Sequence, residues 1–299
     1  MQKFSIPAED FDLEQTMTCG QTFCWHRVNG KLYEEASEDQ ESSESEKNSR
    51  FYTFRNKKPI IVEEKDNEII VETELPREEV EEALGIHHDL EDIFQTFPEN
   101  QKLSEAKEYL WGLRIVQDEF FPCLISYLLS PQMRIPRIKK MHNEIARKYG
   151  ETREINGKEL LRFPTREELS QASEEELREL GTGYRAKYIV ETLKILEEES
   201  FEAEEVGEME YVEAREEMKK LYGVGDKVAD CVLLFSLGFY EAYPIDTWAD
   251  KALKSHFEDL YADKYDQLSE NMREHFGEYS GYAQEYIFHA ARKGHIEVE

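Results

Sequence analysis

Cysteine is scarce in this sequence, and the few that occur form no recognisable set. The four residues, Cys19, Cys24, Cys123 and Cys231, include no Cys-x-x-Cys pair, and their spacings match neither a zinc site nor a disulfide framework. No apolar run approaches the roughly 20 residues that a membrane-spanning helix needs. The N-terminal MQKFSIPAED also lacks the profile of a secretory signal peptide. We therefore expect an intracellular, cytoplasmic protein with reduced thiols, no bound metal ion, no cofactor and no membrane contact.

Basic residues are few as well: 37 Lys and Arg face 66 Asp and Glu, for a net charge of −29. The net negative charge argues against nucleic-acid binding, because contacts with phosphate groups need cations. The alternative is a protein that works in concentrated salt, where charge repulsion is screened. The segment 131–150 favours the second interpretation, since its only acid is Glu144. Its basic residues are Arg134, Arg137, Lys139, Lys140, Arg147 and Lys148. We interpret this basic segment as a DNA-facing patch; the alternative is a solvated cationic helix face.

The hydrophobic pattern changes once along the chain and predicts an α+β protein. Before about residue 75, alternating segments predict antiparallel strands, with a hairpin at Asn29-Gly30 and a polar mobile loop at 34–50. Three further strands are predicted at 50–56, 59–64 and 68–75. From about residue 99 the periodicity is helical almost throughout. We predict a β-rich N-terminal domain over 1–98 and a mostly helical domain over 99–299.

The segment 218–253 contains the main candidate residues for DNA binding and catalysis. Gly223-Val224-Gly225 predicts a tight hairpin between two helices, and the exposed N–H groups of the second helix suit a phosphate oxygen. Lys227 falls in the first turn of that helix, where the helix dipole disfavours its ammonium form and makes it a usable nucleophile. Cys231 shares its face, and Asp246 stands at a predicted N-cap, whose donors keep a carboxylate ionised. Taken singly, these residues are equally explained as a plain turn, a surface lysine, a small buried hydrophobe and a plain cap.

Together with other blocks, the segment resembles the helix-hairpin-helix, Gly-Pro-Asp superfamily of DNA glycosylases. The closest similarity is to the 8-oxoguanine DNA glycosylases of the eukaryotic type. The matching blocks are 18–25 (TCGQTFCW, similar to a family strand), 181–188 (GTGYRAKY), 223–231 (GVGDKVADC), 244–246 (PID) and 281–284 (GYAQ), the last followed by Phe288. These blocks occur in the family order and cover nearly the whole chain.

The resemblance implies a bifunctional glycosylase and abasic-site lyase of base excision repair. Lys227 would attack the sugar C1′, displace the base and form a Schiff base, after which β-elimination nicks the strand. Asp246 would stabilise the positive charge that develops on the sugar. The partner implied is double-stranded DNA that contains an oxidised purine.

The resemblance also assigns residues to the base and to the duplex. Gly20 would present its carbonyl to the N7 hydrogen that distinguishes 8-oxoguanine from guanine. Cys231 and Phe288 would sandwich the flipped base, and Gln284 would bond its Watson–Crick edge. The implied DNA-binding residues are Gln132, Arg137, Tyr184, Arg185, Gly223 and Gly225. Each of these also has an ordinary structural explanation as a core aromatic, surface amide, packing residue or turn glycine.

Two positions depart from the family pattern. Gln132 stands where the family has an asparagine that fills the gap left by the flipped base, which puts the preference for cytosine opposite the lesion in doubt. Trp248 replaces a phosphate-contacting histidine and weakens one backbone contact. Because only Cys231 lies in the last third of the chain, we expect no iron–sulfur cluster, and the family resemblance implies a monomer.

Three alternatives to this function remain open. The first is a monofunctional glycosylase for alkylated bases that uses Asp246 alone, against which Lys227 argues. The second is a non-catalytic helix-hairpin-helix DNA-binding protein, which needs neither residue. The third is an interaction protein that avoids polyanions, which leaves the basic segment 131–150 unexplained.

Overall fold

The structure is a computed structural model that describes residues 1–28, 50–198 and 201–298, with the backbone alone for residue 198. The predicted Asn29-Gly30 hairpin and the predicted loop up to residue 49 lie outside these ranges. The strands are β1 (Gln2–Pro7), β2 (His26–Arg27), β3 (Arg50–Arg55), β4 (Lys58–Lys65), β5 (Glu68–Thr73), β6 (Glu151–Ile155) and β7 (Lys158–Arg162). The helices are α1 (Leu13–Thr18), α2 (Arg77–Leu84), α3 (Leu90–Gln95), α4 (Gln101–Leu110), α5 (Phe120–Leu128), α6 (Ile135–Tyr149), α7 (Arg166–Leu169), α8 (Glu174–Leu177), α9 (Arg185–Glu198), α10 (Ala203–Gly207), α11 (Tyr211–Met218), α12 (Asp226–Ser236), α13 (Thr247–His256), α14 (Tyr265–Phe276) and α15 (Ser280–Lys293).

The chain forms two compact units, and each unit collects segments that are distant in sequence. The first unit comprises 1–9, 22–83 and 118–201, and the second comprises 10–21, 84–117 and 202–299. The division at residue 98 that the pattern suggested follows chain order, and it stays a prediction.

The first unit contains an antiparallel five-stranded sheet in the order β1-β5-β4-β3-β2. The three strands predicted between 50 and 75 are confirmed as β3, β4 and β5. Phe51 pairs with Val62, and Val62 pairs with Val71, so three fully buried side chains cross the middle of the sheet on one face. At the β4–β5 turn, Asp66 and Asn67 have φ of 52° and 61°, the left-handed pair that a tight hairpin requires.

One local prediction was wrong, and one hairpin was not predicted. The block at 18–25 is not a strand: α1 occupies Leu13–Thr18, capped by the Asp12 side chain, and the strand that follows begins only at His26. The region after residue 99 also contains a hairpin, β6–β7, which turns at Asn156 and Gly157 with φ of 52° and 72°. That Asn-Gly pair carries the same hairpin signal as Asn29-Gly30, and helical periodicity on either side obscured it.

The second unit is helical and is organised around α15. This helix is buried from Ser280 to Ala291 and packs against α4 and α13. A helix that is buried on all sides belongs to the interior of a helical domain. No helix in the described part of the chain combines the length and apolarity needed to cross a membrane.

Candidate active site

The predicted helix-hairpin-helix is present in the second unit between α11 and α12. Gly223 takes a φ of 88°, and Gly225 is the N-cap of α12, with Ala229 N donating to its carbonyl at 2.9 Å. A Cβ built on Gly225 meets no atom within 4 Å among the described residues. The first N–H groups of a helix lack an intrahelical acceptor, so this open end suits a phosphate oxygen.

A carboxylate in the first turn of α12 would oppose phosphate binding unless its charge is balanced. Asp226 occupies that turn, and its Oδ1 lies 3.0 Å from Arg215 Nη2 and 2.8 Å from Lys219 Nζ. The two cations come from α11 and the residue after it, so the hairpin supplies its own counter-charge. The N-terminus of α12 can therefore still attract an anion.

Lys227 is half-buried one residue further along α12, beside Cys231 one turn later. Burial raises the pKa of the Cys231 thiol to about 12, and the neighbouring Lys227 acts in the opposite direction. The thiol is therefore neutral near pH 7 and a poor nucleophile, so Cys231 presents a contact surface beside the Lys227 side chain.

Asp246 is the N-cap of α13, as predicted. Its Oδ1 accepts from Trp248 N at 2.9 Å and from Ala249 N at 2.8 Å. Burial raises the pKa of the Asp246 carboxyl, against the lowering effects of the Ala249 N–H, of Lys227 and of the Trp248 N–H. The capping donors act in the expected direction, but desolvation outweighs them. Lys227 is thus close enough to Asp246 to lower the pKa of its carboxyl, and Trp248, two residues further along, exposes 39% of its surface.

Pattern analysis overlooked a buried carboxylate that joins the elements carrying this pair. Asp230 on α12 is fully buried and lies 3.0 Å from Arg215 Nε. It also accepts from Tyr211 OH and Tyr265 OH, both at 2.7 Å, and Tyr265 OH in turn accepts from Ile245 N at 3.2 Å. Asp230 therefore connects the Lys227 helix to the residue before Asp246. The signal was present, since an acid inside an apolar helix needs a partner.

Gln284 and Phe288 share one face of α15 and are 4% and 8% exposed. Gln284 Oε1 has no hydrogen-bond partner among the described residues. The Arg292 guanidinium lies 5.6 Å from the Phe288 ring centroid. A buried unpartnered amide oxygen beside an aromatic face is suited to a planar ligand that donates hydrogen bonds.

Gly20 belongs to the same unit and follows α1 with a φ of 109°. The next residue, Gln21, fixes the backbone there. Its Nε2 donates to Arg114 O at 2.7 Å and to Thr16 O at 3.0 Å, and its Oε1 accepts from Val116 N at 2.9 Å. Gly20 is thereby held as a half-buried backbone group in a defined orientation.

Comparison with known proteins decides the family. Residues 3–124 match the family model of the 8-oxoguanine DNA glycosylase N-terminal domain, and residues 125–279 match that of the HhH-GPD superfamily base excision DNA repair proteins. The chain belongs to the HhH-GPD superfamily. A relative described as a probable N-glycosylase/DNA lyase, from Methanothermobacter thermautotrophicus, is 32% identical over 98% of this chain and 97% of its own.

Solved structures agree with the superfamily assignment. The 8-oxoguanine glycosylase/lyase of Clostridium acetobutylicum, in complex with double-stranded DNA containing cytosine opposite 8-oxoguanine, superposes with a TM-score of 0.83 and 29% identity, over 99% of each chain. A 3-methyladenine DNA glycosylase from Archaeoglobus fulgidus has a TM-score of 0.74 at 21% identity over 97% of this chain and 98% of its own, a likeness in fold alone.

The first unit of this HhH-GPD protein holds the other predicted DNA-binding residues. Gln132 is exposed with a φ of 57°, and Tyr184 is 43% exposed. Arg137 Nη2 donates to Gly181 O at 3.1 Å. Arg185 differs from the rest because it is 2% exposed, donates to Pro131 O and stacks 4.4 Å from the Tyr184 ring centroid. Arg185 thus supports Tyr184 and the residue before Gln132 from within the fold.

The basic segment 131–150 presents fewer cations than its composition indicated. Lys139 is buried, and its Nζ donates to Phe23 O at 2.7 Å and Trp25 O at 2.6 Å. Burial lowers the pKa of Lys139 to about 7. Arg147 pairs with Glu144, and Lys148 pairs with an acid outside the segment. The interpretation of Lys139 as part of a DNA-facing patch was wrong.

All four cysteines are buried and carry free thiols. Within residues 1–28, 50–198 and 201–298, no group of three or more His, Cys, Asp or Glu side chains is arranged to hold a metal ion.

Proposed function

We propose that this protein is a bifunctional DNA glycosylase and abasic-site lyase that removes 8-oxoguanine from duplex DNA. One observation carries the proposal: Lys227 in the first turn of α12 is close enough to the Asp246 carboxyl at the start of α13 to lower its pKa. A phosphate clamp needs only the hairpin, and a monofunctional glycosylase needs only the carboxylate. A lysine this close to that carboxylate supports chemistry that uses an amine.

The proposed reaction needs an uncharged Lys227 amine. Its nitrogen attacks C1′ of the flipped nucleotide, and the C1′–N9 bond breaks with its electron pair leaving on the base, which takes up a proton. Loss of a proton from the nitrogen and opening of the sugar ring give a Schiff base. Loss of a proton from C2′ then expels the 3′ phosphate by β-elimination. Asp246, fixed by two backbone N–H groups, stabilises the positive charge on the sugar during the first step.

Base recognition is proposed to use the second unit alone. The Gly20 carbonyl accepts the N7 hydrogen of 8-oxoguanine, whereas guanine presents an acceptor at N7 and leaves two acceptors facing each other. The buried Gln284 Oε1 accepts from the Watson–Crick edge of the flipped base. The Phe288 ring and the neutral Cys231 thiol provide the two faces between which the base stacks.

The proposal also covers the DNA that the protein binds and its oligomeric state. The substrate is double-stranded DNA that contains an oxidised purine, and Gly223, Gly225, Gln132, Arg137 and Tyr184 are proposed to contact it. We propose that the protein acts as a monomer and holds no iron–sulfur cluster, since only Cys231 lies in the last third of the chain.

Borohydride trapping tests the proposal. Duplexes that carry one 8-oxoguanine, one alkylated base or no lesion are incubated with the protein in molar salt. We expect a covalent adduct with the oxidised duplex alone. The adduct and base excision should both be lost in Lys227→Ala and kept in the control Lys220→Ala, which removes an exposed lysine paired with Glu217.

Other outcomes would contradict the proposal in distinct ways. Release of free base without an adduct would assign the protein to the monofunctional glycosylases. Undiminished excision by a folded Lys227→Ala variant would remove Lys227 from the mechanism, and retention on all three duplexes without any cleavage would indicate a DNA-binding module.

A further inference from the structure

Residues 113–117, between α4 and α5, form a buried segment that takes no direct part in the proposed reaction. All five are buried, and none of them belongs to a helix or a strand. We call them the inner segment. A buried backbone outside regular secondary structure has N–H and C=O groups that need partners elsewhere in the fold. The partners of the inner segment therefore show which elements it holds together.

One set of partners comes from α1 and from the residue after Gly20. Gln21 Nε2 donates to Arg114 O at 2.7 Å, and Gln21 Oε1 accepts from Val116 N at 2.9 Å. Arg114 N donates to Thr16 Oγ1 at 3.1 Å. A single primary amide, which both donates and accepts, thus satisfies two peptide groups that no strand pairs. These bonds hold Gln21, and with it the preceding Gly20, against the inner segment.

The other set of partners comes from α15, the helix that carries the two proposed base-binding side chains. Tyr286 OH donates to Leu113 O at 3.0 Å, and Tyr282 OH accepts from Ile115 N at 3.4 Å. The two tyrosines are four residues apart, so they share one face of the helix, and both are fully buried. Successive residues of the inner segment therefore bond alternately to α15 and to the residues around Gly20.

The inner segment is also attached to α12, the helix that carries Lys227 and Cys231. Gln117 Nε2 donates to Leu234 O at 2.9 Å, one turn after Cys231. The inner segment is thus hydrogen-bonded to the three elements on which the proposed reaction depends. These elements carry the proposed base-reading carbonyl, the base-binding side chains and the nucleophile.

The Tyr286 hydroxyl is the link to α15 whose removal is simplest to interpret. Burying a hydroxyl costs free energy unless it is hydrogen-bonded, so a phenylalanine would serve packing alone at least as well. Burial raises the pKa of Tyr286 above its ordinary value, so the hydroxyl keeps its hydrogen and remains a donor. The bond to Leu113 O therefore accounts for the presence of the hydroxyl.

We propose that Tyr286 is a positioning residue for base recognition. Acting through the inner segment, it fixes the Gly20 carbonyl relative to the face of α15 that carries Gln284 and Phe288, and so sets discrimination between 8-oxoguanine and guanine. The inference rests on the proposed function, because the Gly20 carbonyl has a base to read only in a glycosylase. Without the hydroxyl, the inner segment keeps its bonds to Gln21 and loses one of its two bonds to the tyrosines of α15. The carbonyl then no longer keeps one position opposite the N7 hydrogen.

Two substrates separate this role from a general contribution to packing. Excision from an 8-oxoguanine duplex depends on the Gly20 carbonyl, whereas an abasic duplex has no base and requires only the lysine and the carboxylate. Single-turnover rates on both, and on an undamaged duplex, are measured for the wild type, Tyr286→Phe, Gln21→Met and the double variant. Tyr243→Phe is the matched control, because it removes the same atom from a fully buried tyrosine whose hydroxyl has no hydrogen-bond partner among the described residues.

We expect Tyr286→Phe to excise 8-oxoguanine about 10-fold more slowly, because a displacement of about 1 Å costs up to about 100-fold and this variant breaks one of several bonds. Its preference for 8-oxoguanine over guanine should fall as well, and its cleavage of the abasic duplex should match the wild type. Gln21→Met removes two bonds to the inner segment and should be slower still on 8-oxoguanine. The double variant should be no slower than Gln21→Met, because two changes that act through one segment do not multiply.

The inference is overturned if Tyr286→Phe excises 8-oxoguanine at the wild-type rate, or if Tyr243→Phe shows the same selective defect. It is equally overturned if Tyr286→Phe slows both substrates alike, since that outcome describes a loosened fold. These tests do not require Gln21→Met to fold. Effects that multiply in the double variant would also contradict a shared path through the inner segment. A wild type that is inactive on both substrates would instead refute the proposed function, so the two failures are distinguishable.

Discussion

The link between the two proposed catalytic helices rests on the Tyr265 hydroxyl, so Tyr265→Phe is the most direct perturbation of the site that leaves every proposed catalytic atom in place. The change deletes a donor to the buried Asp230 and the acceptor of Ile245 N–H. A hydrogen bond to a charged group contributes about 1.5–3 kcal/mol, and an unsatisfied buried donor costs about 1–3 kcal/mol. Since Asp230 keeps Tyr211 and Arg215, we expect a loss of about 2–4 kcal/mol in the free energy of unfolding.

Thermal and urea unfolding measure the loss, and single-turnover excision measures its effect on the site. Because Ile245 precedes Asp246, excision should slow about tenfold even where the variant is fully folded, as a carboxylate held off position loses part of its stabilising effect. Tyr261→Phe is the control: the same atom is removed from a half-buried tyrosine that donates to Asp250 at 3.2 Å. If both variants unfold at the same denaturant concentration, Asp230 does not connect the two helices energetically.

Three further predictions concern stability and binding. Burial raises the pKa of Glu285 to about 8 from an ordinary 4.5, so the folded protein keeps a proton that the unfolded chain has lost in this window, and stability falls as pH rises through it. At about 1.4 kcal/mol per pH unit, the free energy of unfolding of Glu285→Gln should rise by about 4 kcal/mol relative to that of the wild type between about pH 5 and pH 8. Urea unfolding at each pH measures the difference, and an equal dependence of stability on pH in the two proteins would contradict the prediction. A Cβ on Gly281 would lie 2.4 Å from Leu234 Cδ1 and 2.9 Å from Tyr240 O, so Gly281→Ala should lower stability by about 1–3 kcal/mol, whereas Gly207→Ala, with open space around it, should not. Affinity for duplex DNA, measured by fluorescence anisotropy across a salt series, should fall only shallowly, because few counterions are released; a steep fall between low and moderate salt would refute the salt interpretation.

The parts of the site that could be predicted from sequence are those fixed by local backbone chemistry. Gly223 predicts a hairpin because its φ of 88° is a conformation that only glycine adopts easily. Asp246 before a helical segment predicts an N-cap, since its short side chain accepts hydrogen bonds from the first free N–H groups of the helix. The turn at Asp66 and Asn67 is predictable for the same reason. Each depends on a few consecutive residues, and each was confirmed.

The features that sequence reasoning missed depend on which distant segments meet. Arg292 bonds to Thr18 across 274 residues, and no spacing in the sequence indicates that α15 packs on the end of α1. The same packing brings the Glu285 carboxyl close enough to the Cys19 thiol for each to act on the pKa of the other. Without it, Glu285 is one acid among 66 Asp and Glu.

Lys139 was misassigned for a different reason, because the signal was local and composition concealed it. In α6, Lys139 lies one turn from His142 and two turns from Ala146, both buried. Helical periodicity therefore places the lysine on the inner face. A count of charges over 131–150 averages around the helix and loses that information. Periodicity should take precedence over composition when a charged segment is assigned to a surface.

The acidity of the chain and its attachment to DNA are compatible because of how the cations are used. Lys219 contacts Glu216 as well as Asp226, and Lys220 contacts Glu217, so lysines around the hairpin neutralise neighbouring acids. Attraction to phosphate then depends on the N-terminus of α12 and on other short-range donors, which salt screens little. Long-range repulsion between a chain of net charge −29 and DNA is screened strongly by the same salt. Concentrated salt thus weakens the repulsion that opposes binding and leaves most of the short-range contacts in place, so we expect the protein to keep most of its DNA affinity at salt concentrations where a basic glycosylase would dissociate.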